Sequence, residues 1–181
     1  MKNWDVVAIG EILMDMSSSE MAGKTLFIAN PGGAPCNVAV MASRMGSSSG
    51  FIGKTGDDGF GRVLISTLKA HNVDTRGVTV SATEPTTLAI VHLDSNGERS
   101  FSFYRNHTAD VELTINELPM EMLESCRTLC FGSVALTTPP LRDTVLAAIE
   151  HAKAAGALLV YYPNSRPLLW PDTETAVHWM R

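Results

Sequence analysis

The run Val6-Val7-Ala8-Ile9-Gly10 constrains the fold of this chain more than any other feature. It is apolar throughout and too short for a helix, so it predicts a strand buried on both faces. Such a strand belongs to a parallel sheet with helices packed above and below it. Residues 157–161 have the same character and predict a second interior parallel strand. Between these runs, strand and helix signals alternate. Residues 49–53 and Leu129-Cys130-Phe131-Gly132 read as short strands. Val38, Met41, Ala42 and Met45 have the spacing of one packed helix face. Phe60, Val63, Leu64 and Leu68 mark the next helix, with Asp57 as its predicted N-cap. Leu141, Val145, Ile149 and Ala152 mark a further helix, closed by Gly156 as its C′ residue. Thr114 and Glu117 have capping-box spacing.

One stretch points to a ligand. In Asn30-Pro31-Gly32-Gly33-Ala34-Pro35-Cys36-Asn37, the paired glycines let backbone come close to another group, and Pro35 suits the first turn of a helix. Asn37 then falls in that opening turn, with an amide that can donate and accept hydrogen bonds. A polyhydroxylated ligand needs that combination. Glu11 and Asp15 follow the first strand, and Pro163-Asn164-Ser165-Arg166 follows residues 157–161. Open α/β sheets bind ligands at such strand ends. Leu88–Leu93 and Arg99–Tyr104 read as two strands joined by a turn at Ser95-Asn96-Gly97-Glu98, a strong hairpin signal. Phe101 and Phe103 lie on one face of the second strand, with Ser100, Ser102 and Tyr104 on the other. A half-exposed hairpin inserted into a strand-helix alternation predicts a flap over a site.

Composition narrows the function classes. With 181 residues, 45% of them hydrophobic, the chain supports one sizeable core. A net charge of −5 argues against nucleic acid as a partner. No stretch approaches the length of a membrane span, and the N-terminal apolar run is too short for a signal peptide, so a cytoplasmic location is expected. Cys36, Cys126 and Cys130 lack C-x-x-C spacing and are expected to be reduced and buried. The histidines have no ligand spacing, so no metal site is expected from them.

These residues resemble the ribokinase-like (PfkB) carbohydrate kinases, and within that family the fructokinases. Gly32-Gly33-Ala34-Pro35-Cys36-Asn37-Val38-Ala39, followed by Gly46 and Gly56, is similar to the family's N-terminal pattern. Gly10-Glu11 with Asp15, Phe51-Ile52-Gly53, Gly56-Asp57-Asp58 with Phe60-Gly61, and residues 97–105 extend the likeness. The resemblance runs across 1–181 and implies a three-layer α/β/α ribokinase-like fold, a mostly parallel sheet with a small β lid. The lid elements are expected around 11–30 and 77–106, and the chain is expected to be the N-terminal part of a C-terminally truncated kinase domain. The implied activity is transfer of the γ-phosphoryl group of ATP, with Mg²⁺, to a sugar hydroxyl.

By position, the resemblance makes Asp15, Asn37, Gly32, Gly33, Tyr104 and Arg105 the sugar-binding residues. It makes Arg166 a stabiliser of the transferring phosphate, which fits a reaction governed by positioning and charge. Tyr162 stands where the family has an aspartate, and a tyrosine supplies no carboxylate at neutral pH. No Gly-Ala-Gly-Asp run is present, so no catalytic base is expected in this chain. The leading expectation is the sugar-binding portion of a fructokinase. The alternatives are a non-enzymatic sugar-binding or regulatory remnant, and a kinase for a nucleoside or a 2-keto-3-deoxy sugar acid whose carboxylate meets Arg105 and Arg166. Residues 157–161 have no following strand to pair with, which predicts docking with another copy or with a missing C-terminal half.

Overall fold

A computed structural model describes residues 2–93 and 99–181. Its main sheet is parallel throughout, in the order β5-β4-β1-β8-β9. These strands are β1 (Trp4–Ile9), β4 (Ser49–Gly56), β5 (Asp74–Ser81), β8 (Cys126–Gly132) and β9 (Leu158–Tyr162). The apolar run at residues 6–10 is central, as its composition requires, pairing with β4 on one side and β8 on the other. Successive residues face opposite layers. Val7 and Ile9 join Ile52, Leu129 and Phe131 in one core, while Ala8 joins Phe51 and Cys130 in the other.

Helices cover both faces, giving three layers. On the Ala8 side lie α1 (Ala34–Arg44) and α2 (Gly59–Ala70), which contribute Cys36, Ala39, Leu64 and Leu68. The opposite face carries α3 (Met120–Ser125), α4 (Leu141–Ala154) and the short α5 (Thr173–Met180). Gly156 takes φ +77° just beyond α4, the left-handed conformation expected of a C′ residue. The capping box between Thr114 and Glu117 is present, opening a single 3₁₀ turn, Ile115–Glu117.

A second, four-stranded sheet has the order β3-β2-β6-β7. It is built from β2 (Leu13–Met21), β3 (Lys24–Gly32), β6 (Leu88–Leu93) and β7 (Arg99–Tyr104). Both β6 and β7 occupy the expected hairpin positions, and the turn expected at Ser95-Asn96-Gly97-Glu98 lies outside the described residues. The small sheet begins where β1 ends and leads back, through β3, into α1.

Four expectations are corrected. The buried face of α1 is Pro35, Cys36 and Ala39, and Met45 of the expected stripe is 79% exposed. Small side chains let this helix lie close to the sheet, whereas methionines at that spacing would hold it away. The N-cap of α2 is Asp58, not Asp57: it accepts from Gly61 N–H at 2.8 Å and also from Thr86 N–H at 2.8 Å. Asp57 instead pairs with Arg62 in solvent. The strand at residues 157–161 is parallel but lies at the sheet edge, bonded only to β8, with Leu158 65% exposed. Residues 77–81 belong to β5 of the main sheet, so within 77–106 the small sheet takes only β6 and β7.

Candidate functional site

The C-terminal end of β1, the start of α1 and the inner face of the small sheet enclose a cavity of about 220 Å³. That is smaller than the roughly 300–1,000 Å³ of pockets for drug-sized ligands, and suits a small molecule. Glu11, Leu13 and Asp15 reach it from the segment that enters β2, and Gly33, Ala34 and Asn37 from the opening of α1. Phe101 and Phe103 form one wall from β7, and Val134, Asn164 and Arg166 line it from beyond β8 and β9.

Backbone geometry fixes the floor. Gly33 is the N-cap of α1 at φ +103°, a conformation open mainly to glycine. A Cβ there would lie 2.5 Å from Glu11 O and 3.1 Å from Ile12 Cα. Gly32 pairs with Leu13 at the end of β3, and a Cβ on it would fall on Asp15 Oδ2 and 2.9 Å from Asp15 Cγ. The two glycines thus serve different neighbours: Gly33 makes room for backbone and Gly32 for a carboxylate.

Asp15 is half-buried and its carboxylate has no hydrogen-bond partner among the described residues. Burial raises its pKa, against the opposing pull of Arg166. Asn37 is exposed at the opening of α1, on the cavity wall, and its backbone N–H bonds Gly33 O at 2.9 Å. Arg166 lies over the Phe101 ring at 5.4 Å, joining the segment after β9 to the small sheet. Asp15, Gly33, Asn37 and Arg166 therefore meet at one cavity, with Gly32 directly beneath Asp15.

The end of the hairpin divides. Tyr104 is 64% exposed on the outer face of β7 and does not line the cavity, which this strand meets through Phe101 and Phe103. Arg105 is buried behind the cavity wall. Its Nε donates to Asp110 Oδ2 at 2.8 Å, and its Nη1 donates to Thr137 Oγ1 at 2.9 Å and Val134 O at 3.3 Å. Thr87 and Thr108 donate to Asp110 Oδ1 and complete the network. A buried pair this well bonded is costly to break from one side.

Glu11, Asn164 and the two phenylalanines are cavity residues that the sequence-based assignment of roles leaves out. The alternation in β7 could have found Phe101 and Phe103. Glu11 is 3% exposed, and its Oε1 accepts from Ala34 N–H at 3.3 Å, which places it at the positive end of α1. Burial pushes its pKa up to about 7, with Arg105 pulling against it. Tyr162 packs its ring on bare Gly132 with its hydroxyl buried and unpartnered, and burial raises its pKa. All three cysteines are free and buried.

The described residues contain no group of three or more His, Cys, Asp or Glu placed to hold a metal ion. Nor is any of their helices long and apolar enough to cross a membrane.

Comparison with known proteins places this fold. The model of the pfkB family of carbohydrate kinases matches residues 4–180. Fructokinase-1 of Zea mays is 45% identical over 175 residues, an alignment covering 94% of this chain and 54% of the relative. The probable fructokinase-2 of Arabidopsis thaliana is 45% identical over 178 residues, covering 94% of this chain and 53% of the relative. The crystal structure of a fructokinase from Xylella fastidiosa superposes with a TM-score of 0.92 at 32% identity, covering 99% of this chain and 56% of that one. A fructokinase structure from the same organism with bound ATP gives 0.90 at 32% identity, covering 99% of this chain and 54% of that one. The chain spans about half the length of the curated relatives it matches. The match along 4–180 and the agreement of the three-layer fold lead to one assignment: this chain belongs to the pfkB family of carbohydrate kinases.

Proposed function

We propose that this chain carries the acceptor-sugar site of an ATP-dependent carbohydrate kinase, with fructose as the leading acceptor. One observation carries the reading: the Asp15 carboxylate, without a hydrogen-bond partner among the described residues, and the exposed Asn37 amide share a small cavity with the apolar rings of Phe101 and Phe103. A monosaccharide has a polar rim of hydroxyls and apolar C–H faces, and this cavity offers a partner to each. In this reading Asp15 accepts from sugar hydroxyls, and Asn37 binds a neighbouring one. The bare backbone of Gly32 and Gly33 lets the ring approach, and the phenylalanines exclude water from above. Tyr104 is assigned to the rim and Arg105 to support of the wall.

ATP enters the proposal through the family and the ATP-bound relative. Arg166 is the cavity's cationic side chain, and we assign it to the phosphate side of the sugar. Only two carboxylates, Glu11 and Asp15, line the cavity, and Mg²⁺ is bound by few protein carboxylates together with substrate phosphates, so it is expected to arrive with the nucleotide.

The sugar-acid alternative is less well supported, because the Arg105 guanidinium is already committed to Asp110. The test is calorimetric titration of the chain with a panel of neutral sugars and sugar acids, alongside an assay of ATP- and Mg²⁺-dependent phosphorylation. Binding of fructose that is lost in Asp15→Ala supports the site. Binding without turnover identifies a sugar-binding remnant, and preference for a sugar acid refutes the acceptor assignment.

A further inference from the structure

Two buried polar atoms of opposite charge lie unpaired at the roots of the small sheet. Glu11 Oε2 and Arg105 Nη2 are both sealed from solvent, and neither has a hydrogen-bond partner among the described residues. Buried polar groups of this kind are rare enough to require a reason. Glu11 lies two residues before β2, and Arg105 immediately follows β7, so the pair stands where the chain first enters the small sheet and where it finally leaves it. Each residue is anchored by its other atoms. Glu11 Oε1 is bonded to the N-terminus of α1, and Arg105 holds Asp110, Thr137 and Val134 O through Nε and Nη1. Glu11 Oε2 and Arg105 Nη2 are the atoms left over, and both residues reach Val134, which lines the cavity beside Glu11 and accepts from Arg105 Nη1. Arg105 is close enough to attract the Glu11 carboxyl, yet no ion pair joins them.

We propose that Glu11 is a positioning residue for the cavity, and that its Oε2 closes onto Arg105 Nη2 when a neutral sugar is bound, locking the small sheet to the floor at α1. This rests on the sugar-site reading above. Ionised Glu11 is the form that pairs with a guanidinium, so closure converts the carboxylic acid to carboxylate and releases its proton to solvent. The free protein holds that proton up to about pH 7, because burial outweighs the pull of Arg105.

The other titratable groups facing Glu11 do not compete for this role. Cys36 on α1 and Tyr162 on β9 are raised by burial and stay neutral, Cys36 to about 12. Asp110 is already bonded to Arg105. Asp15 lies on β2 and answers to Arg166.

Sugar binding therefore releases protons near neutrality and tightens as pH rises. If closure lowers the Glu11 pKa by one unit, affinity for fructose is about fivefold higher at pH 8 than at pH 6. Titrating the chain with fructose at both pH values, in buffers of different ionisation enthalpy, reads the affinity and the proton count together. The expected result is proton release for the unsubstituted chain, and weaker, pH-flat binding without proton release for Glu11→Gln. Arg105→Lys, which keeps the charge, should retain part of the pH dependence. Fructose binding with no proton release, or a Glu11→Gln chain with the unsubstituted affinity and pH profile, overturns the inference and leaves the sugar site standing. No binding of any neutral sugar overturns both.

Discussion

The adjacent glycines Gly32 and Gly33 should fail in opposite ways when each is given a methyl group. In Gly33→Ala the new Cβ meets backbone, 2.5 Å from Glu11 O, at a residue already at φ +103°. Nothing there can move cheaply. Positive-φ strain of about 1–3 kcal/mol adds to the displacement of the segment that links β1 to β2. A total near 3 kcal/mol would lower Tm by about 6–12 °C for a domain of this size. In Gly32→Ala the Cβ meets the Asp15 carboxylate, the far end of a flexible side chain, and Leu13 Cδ1 at 3.2 Å. Asp15 can rotate away, so the loss of stability should stay within about 1 kcal/mol. In the proposed site the displaced carboxylate would no longer reach the sugar, however. A hydrogen bond to a charged group contributes about 1.5–3 kcal/mol, equivalent to roughly 10- to 150-fold in affinity. Thermal melts and calorimetry with fructose on both variants separate the two effects. If Gly32→Ala binds fructose normally, or melts as low as Gly33→Ala, the division of labour between these glycines is wrong.

Three further outcomes follow from other parts of the molecule. The Glu11 pKa is raised from 4.5 to about 7 on folding, so the native state holds the proton longer than the unfolded chain. Stability should therefore be greatest below about pH 4.5 as far as this group is concerned and fall by up to about 3 kcal/mol by pH 7. Glu11→Gln should flatten that part of the pH profile in denaturant titrations. Asp58→Ala removes the α2 cap and the bonds to Thr86, and should cost about 2–3 kcal/mol, whereas Asp57→Ala, which breaks an exposed pair, should stay within about 0.5 kcal/mol. We also expect the isolated chain to associate through its open apolar surfaces, since β9 has one neighbour and Phe27 on β3 is 54% exposed. A monomeric, cooperatively melting species in size-exclusion and calorimetric runs would refute this.

Features set by local chemistry were readable in the sequence. The run at residues 6–10 could only be a central strand, and the hairpin strands, the capping box at Thr114 and Glu117 and the Gly156 terminus all depend on neighbours close in sequence. Where tertiary contacts decide between similar local options, the sequence misleads. Asp57 and Asp58 are equally good caps, and the choice is made by Thr86, 28 residues beyond Asp58. The α1 face was misread because apolar size favours Met41 and Met45, while the close approach to the sheet favours Ala39 and Cys36. Residues 157–161 read as interior because composition reports apolar character and not the number of neighbouring strands. The cavity was half-visible. Asp15, Asn37 and the glycines announce themselves by type and order, whereas Glu11 gains its importance from burial at the start of α1, where it accepts from Ala34 N–H. Tyr104 and Arg105 are adjacent in sequence yet end on the surface and in the core, because Tyr104 closes β7 on its outer face and Arg105, just past the strand, turns inward to Asp110.

The central claim is that a neutral sugar binds among Asp15, Asn37 and the two phenylalanines. Titrating ¹⁵N-labelled chain with fructose while recording amide shifts tests it most directly. The account predicts saturable shifts concentrated at residues 11–15, 32–37, 101–105 and 164–166, and their disappearance in Asp15→Ala. Shifts confined to other surfaces, or a spectrum unchanged at high fructose, would contradict it.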